Sequence, residues 1–588
     1  MFSQICKSEY LQMTKHGIAL AFLFLLLNST ITHAQSAPRG WHLLDETQDH
    51  FYGISLNKAY LFLQEKNRPS KPVIVAILDS GIDTTHEDLK RNLWTNRGEI
   101  ASNGIDDDGN GYIDDVHGWN FLGGKDGRNL KKCSDERSRI YHRYKDLYLG
   151  KEIDTTTLSF EDKILYSIWK KAALELNFST EEQTELLFIE MTSKALKRHD
   201  KVLRKEMGID EFTSDAVEKF EANSKQAKES KLGFLTCIKM IGIEADEKNT
   251  TIIEQLDEYV EGKKLAFESK EIAPFDYRAD IIKDNYQNIE DRFYGNNDIM
   301  GPSPMHGTHV SGIIGAQRDN EIGVDGIANN VQLMMVRVVP DGDEYDKDVA
   351  LGIRYAVDNG AKLINMSFGK SFSPEKPWVD SAIRYAASKD VLILHASGNE
   401  AVNNDEKEIY PNPKQKNYTA VNFMNIGASA DPIVTGSIAA DFSNYGKSSV
   451  DVFAPGVKIY STLPNKNGYG NQNGTSMATP VVTGVAALIR SYYPSLTAVQ
   501  IKQIIESSVS IPDAQFPNYK PGTQKEKLPF ANMSKTGGIV NAYNAVAAAD
   551  LIKPIIKEAS TKATNTNSKP TSTQTKSNTT HSKSAKSK

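Results

Sequence analysis

The sequence predicts an α/β protein: a doubly wound, mostly parallel sheet flanked by helices, with an all-α insertion in one of its connections. Three observations carry that expectation. Short apolar runs without alternation recur along the chain, beginning with "KPVIVAILDSGID" at 71–83, and such runs fit strands buried on both faces. Helical patterns with short links separate the later runs, and strand–helix alternation of that kind makes a parallel sheet with helices on both sides. From about 125 to 273 the character changes. Charges are dense, glycine is scarce, and apolar residues recur at three and four, as in "FEDKILYSIWKKAALEL".

Taken in chain order, Lys15 and His16 precede "GIALAFLFLLLN" and then "STITHAQ". This reads as a secretory signal over 1–34 with cleavage near Ala34, so the mature protein is expected outside the cytoplasm or in the cell envelope. The run is too short for a membrane span, which needs ~20 residues, and no later stretch is a transmembrane candidate. Residues 35–70 form a short lead-in with one helix around Ser55–Gln64. Residues 71–124 are the first part of the sheet-bearing domain, 125–273 the helical insertion, and 274–550 the second part. Within the insertion, Ser179 or Thr180 ahead of Glu181 and Glu182 marks a helix start. In the second part, "VQLMMVRVV", "AKLINMSF", "VLILHAS", "FMNIGA" and "VDVFAP" read as strands. "DVALGIRYAVDNG", "WVDSAIRYAASKD", "SMATPVVTGVAALIRSYY" and "TAVQIKQIIESSV" read as helices. Residues 559–588 hold lysine, serine and threonine but no acidic or large apolar residue. They cannot bury enough surface to offset their ordering entropy and read as a disordered tail.

Composition excludes some classes of function. With 69 basic and 75 acidic residues the net charge is −6, which leaves no nucleic-acid footprint. Cys6 falls in the signal. Cys133 and Cys237 remain and are free to pair, but two thiols are not a disulfide framework.

Four short glycine-rich stretches hold the candidate chemistry. Asp79 ends the strand "VIVAIL", and acids at the carboxyl tips of buried strands lie where sites form; alternatively it is a structural cap beside Gly81. "HGTHVSGIIGA" opens a small-residue helix with His306 and His309. That spacing invites a metal, yet no glutamate follows His306 as H-E-x-x-H requires, which favours a histidine placed for proton transfer. "VLILHASGNE" ends in Ser397, Gly398 and Asn399, either a turn or an amide aimed at a developing oxyanion. Ser476 in "NGTSMATPVV" starts a helix, as a serine does for purely structural reasons too.

The chain order Asp79, His306, Asn399, Ser476 in these contexts resembles the subtilisin-like serine endopeptidases (the subtilases, peptidase family S8). "AILDSGIDTTHEDL", "HGTHVSGIIGA", "INMSFGK", "LHASGNE" and "NGTSMATPVVTGVAAL" each match that family's signatures, over about Val73–Phe121 and Tyr277–Val546. The resemblance implies Ser476 as nucleophile, His306 as general base and then acid, and Asp79 as the group that orients the imidazole. It implies Asn399 and the backbone N–H of Ser476 as the oxyanion hole, at a helix N-terminus that favours negative charge. Ser367 and Gly369 match the edge that pairs with an extended polypeptide substrate and borders the first specificity pocket, where Phe368 and Lys370 would alter its shape. Pro480 is expected in the helix's first turn, where a missing N–H costs nothing. His309 matches a buried structural position, while His86, Asp83 and Asp88 are expected as surface or metal-adjacent groups. No cofactor is expected for the chemistry.

"NGIDDDGNGYIDD" places Asp106, Asp108 and Asn110 at alternate positions before Gly111 and Ile113, as in the start of an EF-hand loop. A structural calcium ion would take these side chains and the carbonyl of Tyr112. His117 stands where the bidentate glutamate belongs, so Asp114 or Asp115 is expected to substitute. The competing reading is a turn rich in Asp and Asn.

Two features depart from the compact members of that family. The insertion separates Asp79 from His306, and it is a partner-binding arm, a lid over the cleft or a spacer. The short lead-in predicts no conventional inhibitory propeptide. Together these features point to an exported serine endopeptidase acting on polypeptides through an acyl-enzyme. The alternatives are a non-catalytic scaffold of the same fold and a protease dedicated to processing one partner.

Overall fold

The computed structural model describes residues 37–552 apart from 178, 242–246, 466 and 524. The expected signal and the Lys-rich tail therefore lie outside the described residues. Seven strands form one parallel sheet: β1 (Val73–Asp79), β2 (Gly118–Asn120), β3 (Val331–Arg337), β4 (Leu363–Met366), β5 (Leu392–Ala396), β8 (Phe423–Ser429) and β9 (Val452–Pro455), in the order β2-β3-β1-β4-β5-β8-β9. The short hairpin β6 (Lys414–Gln415) and β7 (Tyr418–Thr419) and the longer hairpin β10 (Ile459–Leu463) and β11 (Gly468–Gln472) lie outside it. Every residue of β4, β5, β8 and β9 is buried, which is why their sequences show no alternation.

Helices cover both faces. On one side Leu56–Glu65, Met305–Gly315, Thr475–Tyr492, Ala498–Ser507 and Ala542–Leu551 share a core with one face of the strands, including Val75, Ile77, Leu333 and Met335. On the other, Asp346–Asp358 and Lys376–Ser388 pack with Ala76, Leu78, Val336 and Ile364. The chain lays β3 on one side of β1 and β4 on the other. That reversal of strand order opens a crevice at the carboxyl ends, the place where ligands bind in such sheets. The lead-in helix falls one residue from its expected bounds. Trp41 ahead of it is buried and donates its indole N–H to the Val457 carbonyl at 2.9 Å, so the lead-in belongs to the core layer.

Between β2 and the His306 helix stand, among the described residues, seven helices: Glu136–Tyr148, Phe160–Glu175, Thr180–Met207, Ser214–Lys219, Lys225–Ile241 and Asn249–Glu268 in the insertion, and the short Tyr277–Ile281 after it. Ser179 caps the third through a reciprocal box with Glu182. Leu196, Leu203, Phe212, Val217, Phe234 and Ile252 make a small core of their own. Leu130 and Cys133, inside the stretch assigned to the insertion, pack instead into the core of the sheet. Cys133 and Cys237 are both buried and free; they sit in different cores and do not pair. Among the described residues no helix is long and apolar enough to cross a membrane.

Candidate active site

Asp79 closes β1, pairs with Arg337 at the end of β3, and is almost fully buried. Its Oδ1 accepts the backbone N–H of Ser80 at 2.7 Å and lies 2.8 Å from Nδ1 of His306. Two motifs on opposite sides of the insertion thereby meet in one hydrogen bond. His306 stands in the first turn of the helix Met305–Gly315, where Gly307 lets the helix press onto the β1 turn: a Cβ there would lie 2.2 Å from the Gly81 carbonyl oxygen. Burial opposes protonation of His306, but the charge and hydrogen bond of Asp79 outweigh it and hold the imidazole above its ordinary pKa.

Ser476 is the second residue of the helix Thr475–Tyr492, whose unpaired N-terminal amides favour negative charge. Its hydroxyl donates to the Ser367 carbonyl at 2.9 Å, and the Ser367 hydroxyl donates back to the Ser476 carbonyl at 2.9 Å. The proline explains the second bond. Pro480 lies inside the helix rather than in its first turn. With no N–H to offer, it frees the Ser476 carbonyl four residues earlier, and Ser367 takes it. Among the described residues no hydrogen bond joins Ser476 to His306.

Asn399 follows the β5 strand end. Its side-chain oxygen accepts both the backbone N–H and the hydroxyl of Thr475, each at 2.9 Å, which fixes the amide orientation and leaves the NH₂ free to donate. A Cβ built on Gly474 would lie 3.6 Å from that NH₂ nitrogen, 3.5 Å from the Ser476 nitrogen and 3.7 Å from its Cβ. Two donors thus converge beside the serine.

Ser367 and Gly369 follow β4 on the other bank of the crevice. Gly369 has no room for a side chain without crowding Ile409, whose Cγ2 would be 3.0 Å away. Phe368 is half-buried, but Lys370 does not reach any pocket here. Its ammonium turns into the protein and pairs with Glu136 at 2.8 Å and Asp346 at 2.9 Å. His309 is fully buried, with Nε2 3.1 Å from the Gly470 carbonyl, and burial lowers its pKa to about 3. His86, Asp83 and Asp88 are buried as well and are engaged by the Gly468 carbonyl, by Thr85 and Asn465, and by Asn320 and Val324. They are structural, not surface, groups.

The Asp106 loop departs from its expected geometry. The carboxylates that converge are Glu99, Asp106 and Asp108, with oxygens within 4.8 Å of one another. Asp114 turns away to accept the amides of Asn103 and Gly104. Asp115 is buried against Asn96, Asn110 and Tyr355. Asn110 and Tyr112 stay in the loop, joined by a bond from the Tyr112 amide to the Asn110 oxygen at 2.8 Å. Glu99 had no motif to reveal it, because it precedes the loop and reaches in from a turn.

Arg337 was also silent in the sequence. It is fully buried and donates to the Ser80 carbonyl at 2.7 Å, to Asn120 at 3.0 Å and to the Leu130 carbonyl at 2.6 Å. It fastens the turn that carries Asp79. A lone cation ending the apolar run "VQLMMVR" was its one available signal.

These motifs define a class of fold and site that comparison makes specific. The subtilase family model matches residues 70–533, and the chain belongs to that family. It is 34% identical over 282 residues to the cell wall-associated protease of Bacillus subtilis (strain 168), covering 46% of this chain and 29% of that protein. It is 38% identical over 206 residues to alkaline elastase YaB of Bacillus sp. (strain YaB), covering 35% of this chain and 50% of the relative. Subtilisin BL of Lederbergia lenta is likewise 38% identical over 206 residues, 35% of this chain and 70% of the relative. The chain thus spans half or less of the first two curated relatives. Among solved structures, a protease from Pseudoalteromonas arctica aligns at 31% identity with a TM-score of 0.34, over 43% of this chain and 74% of that one.

Proposed function

We propose that this protein is an exported serine endopeptidase that hydrolyses peptide bonds through an acyl-enzyme. The observation that carries the reading is the 2.8 Å contact of His306 with Asp79, beside a serine at a helix N-terminus and a free asparagine amide. In the proposed cycle Ser476 turns its hydroxyl from the Ser367 carbonyl to His306, whose Nε2 takes the proton as the oxygen attacks the scissile carbonyl. Asp79 holds the ring through Nδ1 and stabilises the imidazolium. The Asn399 amide and the Ser476 N–H receive the oxyanion. His306 then protonates the leaving amine, and water repeats the sequence to release the acid. The curated relatives carry protease names, and the 1–34 stretch reads as a secretory signal; both support the proposal.

The test is labelling with a fluorophosphonate, which reacts with an activated serine. Wild type should label and Ser476→Ala should not; equal labelling of the two sinks the enzyme reading. We further propose that Glu99, Asp106 and Asp108 hold a structural calcium ion, for which clustered carboxylate oxygens are suitable hard ligands. Bound there it would stiffen the turn leading to β2. EDTA should lower the melting temperature by several degrees, restored by excess calcium, and an unchanged melting curve removes the ion.

A further inference from the structure

Resting on the protease reading, we propose that the helical insertion is the second wall of the substrate channel, that it admits single extended polypeptide segments, and that it contacts them through Thr251 and Glu254. A cavity of about 1000 Å³ opens beside the catalytic histidine. Its lining includes His306 from the helix Met305–Gly315, Ser367 just past β4, Tyr469 from the β10–β11 hairpin, and Thr250, Thr251 and Glu254 from the insertion. A second cavity of about 700 Å³ is lined by Asn473, just ahead of Ser476, together with Glu247 and Gln255 of the insertion. One short stretch of the insertion, residues 247–255, therefore lines both the cavity that holds His306 and the one that holds Asn473.

That stretch is anchored. Asn249 is fully buried and donates to Asp200 at 2.5 Å and to the Asp210 carbonyl at 3.1 Å, while its oxygen accepts the Phe212 amide at 2.8 Å. Ile252, one turn on, is buried in the core of the insertion with Phe212 and Phe234. The helix Asn249–Glu268 thus turns Ile252 inward and leaves Thr251 and Glu254 on the cavity. A buried side chain with all its polar groups satisfied rigidifies what it holds. This is a wall, not a loose flap.

Size and charge indicate what passes along it. A volume near 1000 Å³ is on the order of 10 Å on a side, the layer that one extended strand with its side chains occupies. A folded domain of 100 residues, with a radius of gyration of about 13 Å, does not enter. Glu211 is neutralised by Lys248 at 3.0 Å. Among the described residues Glu254 has no ion-pair partner, and it is exposed, so it favours a cationic substrate side chain opposite it.

The test uses the full-length protein, an unstructured peptide series carrying Lys or Glu at successive positions, and the fluorophosphonate as a small probe. Thr251→Trp should lower kcat/KM for the peptides at least tenfold, mainly through KM, while the labelling rate is retained. Glu254→Lys should reverse a Lys-over-Glu preference at one peptide position by several-fold. Asn249→Ala, which loosens the wall, should raise cleavage of a natively folded protein relative to the peptide. If Thr251→Trp and Glu254→Lys label normally yet leave peptide kinetics and preference unchanged, the insertion is not part of the channel. Should Thr251→Trp fail to fold, Glu254→Lys, on an exposed side chain, decides alone. Wild type that does not label condemns the protease reading instead.

Discussion

The helix that carries Ser476 buries sixteen of its 18 residues, whereas the longest helix of the insertion, Thr180–Met207, buries five of 28. The first is pressed against the sheet and its neighbours so closely that a Cβ at Gly484 would lie 2.6 Å from Ile327. The second keeps one narrow stripe and leaves the rest to solvent. Close packing on every side holds a side chain to a fraction of an ångström, which is what proton transfer needs. A helix anchored along one stripe gives shape and surface at lower precision, which suffices to guide a substrate. The proposed catalytic geometry and the proposed channel wall thus lie in two differently built regions.

If that division holds, changes in the sheet region act on kcat, whereas changes in the insertion act on KM, substrate preference or stability. The largest effect expected below loss of the nucleophile itself is from Asp79→Asn, which leaves the ring in the wrong tautomer and should cost on the order of 10⁴ in kcat, with little change in melting temperature. The same variant sharpens the pH behaviour. His306 is held above the ordinary value of about 6.5 by Asp79. The imidazolium cannot accept the serine proton, so kcat/KM should rise with pH through that raised pKa. Removing the Asp79 charge leaves burial acting alone, and the acid limb should move to lower pH. A limb that stays in place breaks the assignment. Asn399→Ala should lower kcat by about 10²–10³ without changing KM greatly, as measured on a chromogenic peptide. The smallest effect on chemistry is expected from Leu203→Ala in the insertion core. It should cost about 2–5 kcal/mol of stability and lower the melting temperature, yet leave fluorophosphonate labelling unchanged below the transition. Loss of labelling there would show that the two regions are not independent.

Legibility in the sequence follows the same division. The sheet and its helices were readable because buried strands are unbroken apolar runs, and the insertion because a one-stripe helix repeats at three and four. The β10–β11 hairpin was not: "IYSTL" and "GYGNQ" carry too few apolar residues to signal a strand, and their pairing is fixed by packing on the His306 helix, where Ser461 and Thr462 donate to the His309 and Thr308 carbonyls. Asp79, His306, Asn399 and Ser476 were legible because each sits in a short local motif. Lys370 was misjudged, since nothing near it in sequence reveals Glu136, its partner from the insertion. Asp114 was misjudged because spacing alone cannot tell a ligand from a carboxylate that caps a turn.

One consequence of Pro480 reaches beyond its helix. By withholding a hydrogen it turns the main chain of residue 476 into a latch for residue 367, and the hydroxyl closes the latch from the other side. Ser476 therefore rests against the edge of the sheet instead of against His306. An alanine at 480 would restore an N–H competing for that carbonyl, and the resting position of Ser476 would then be decided by the helix alone.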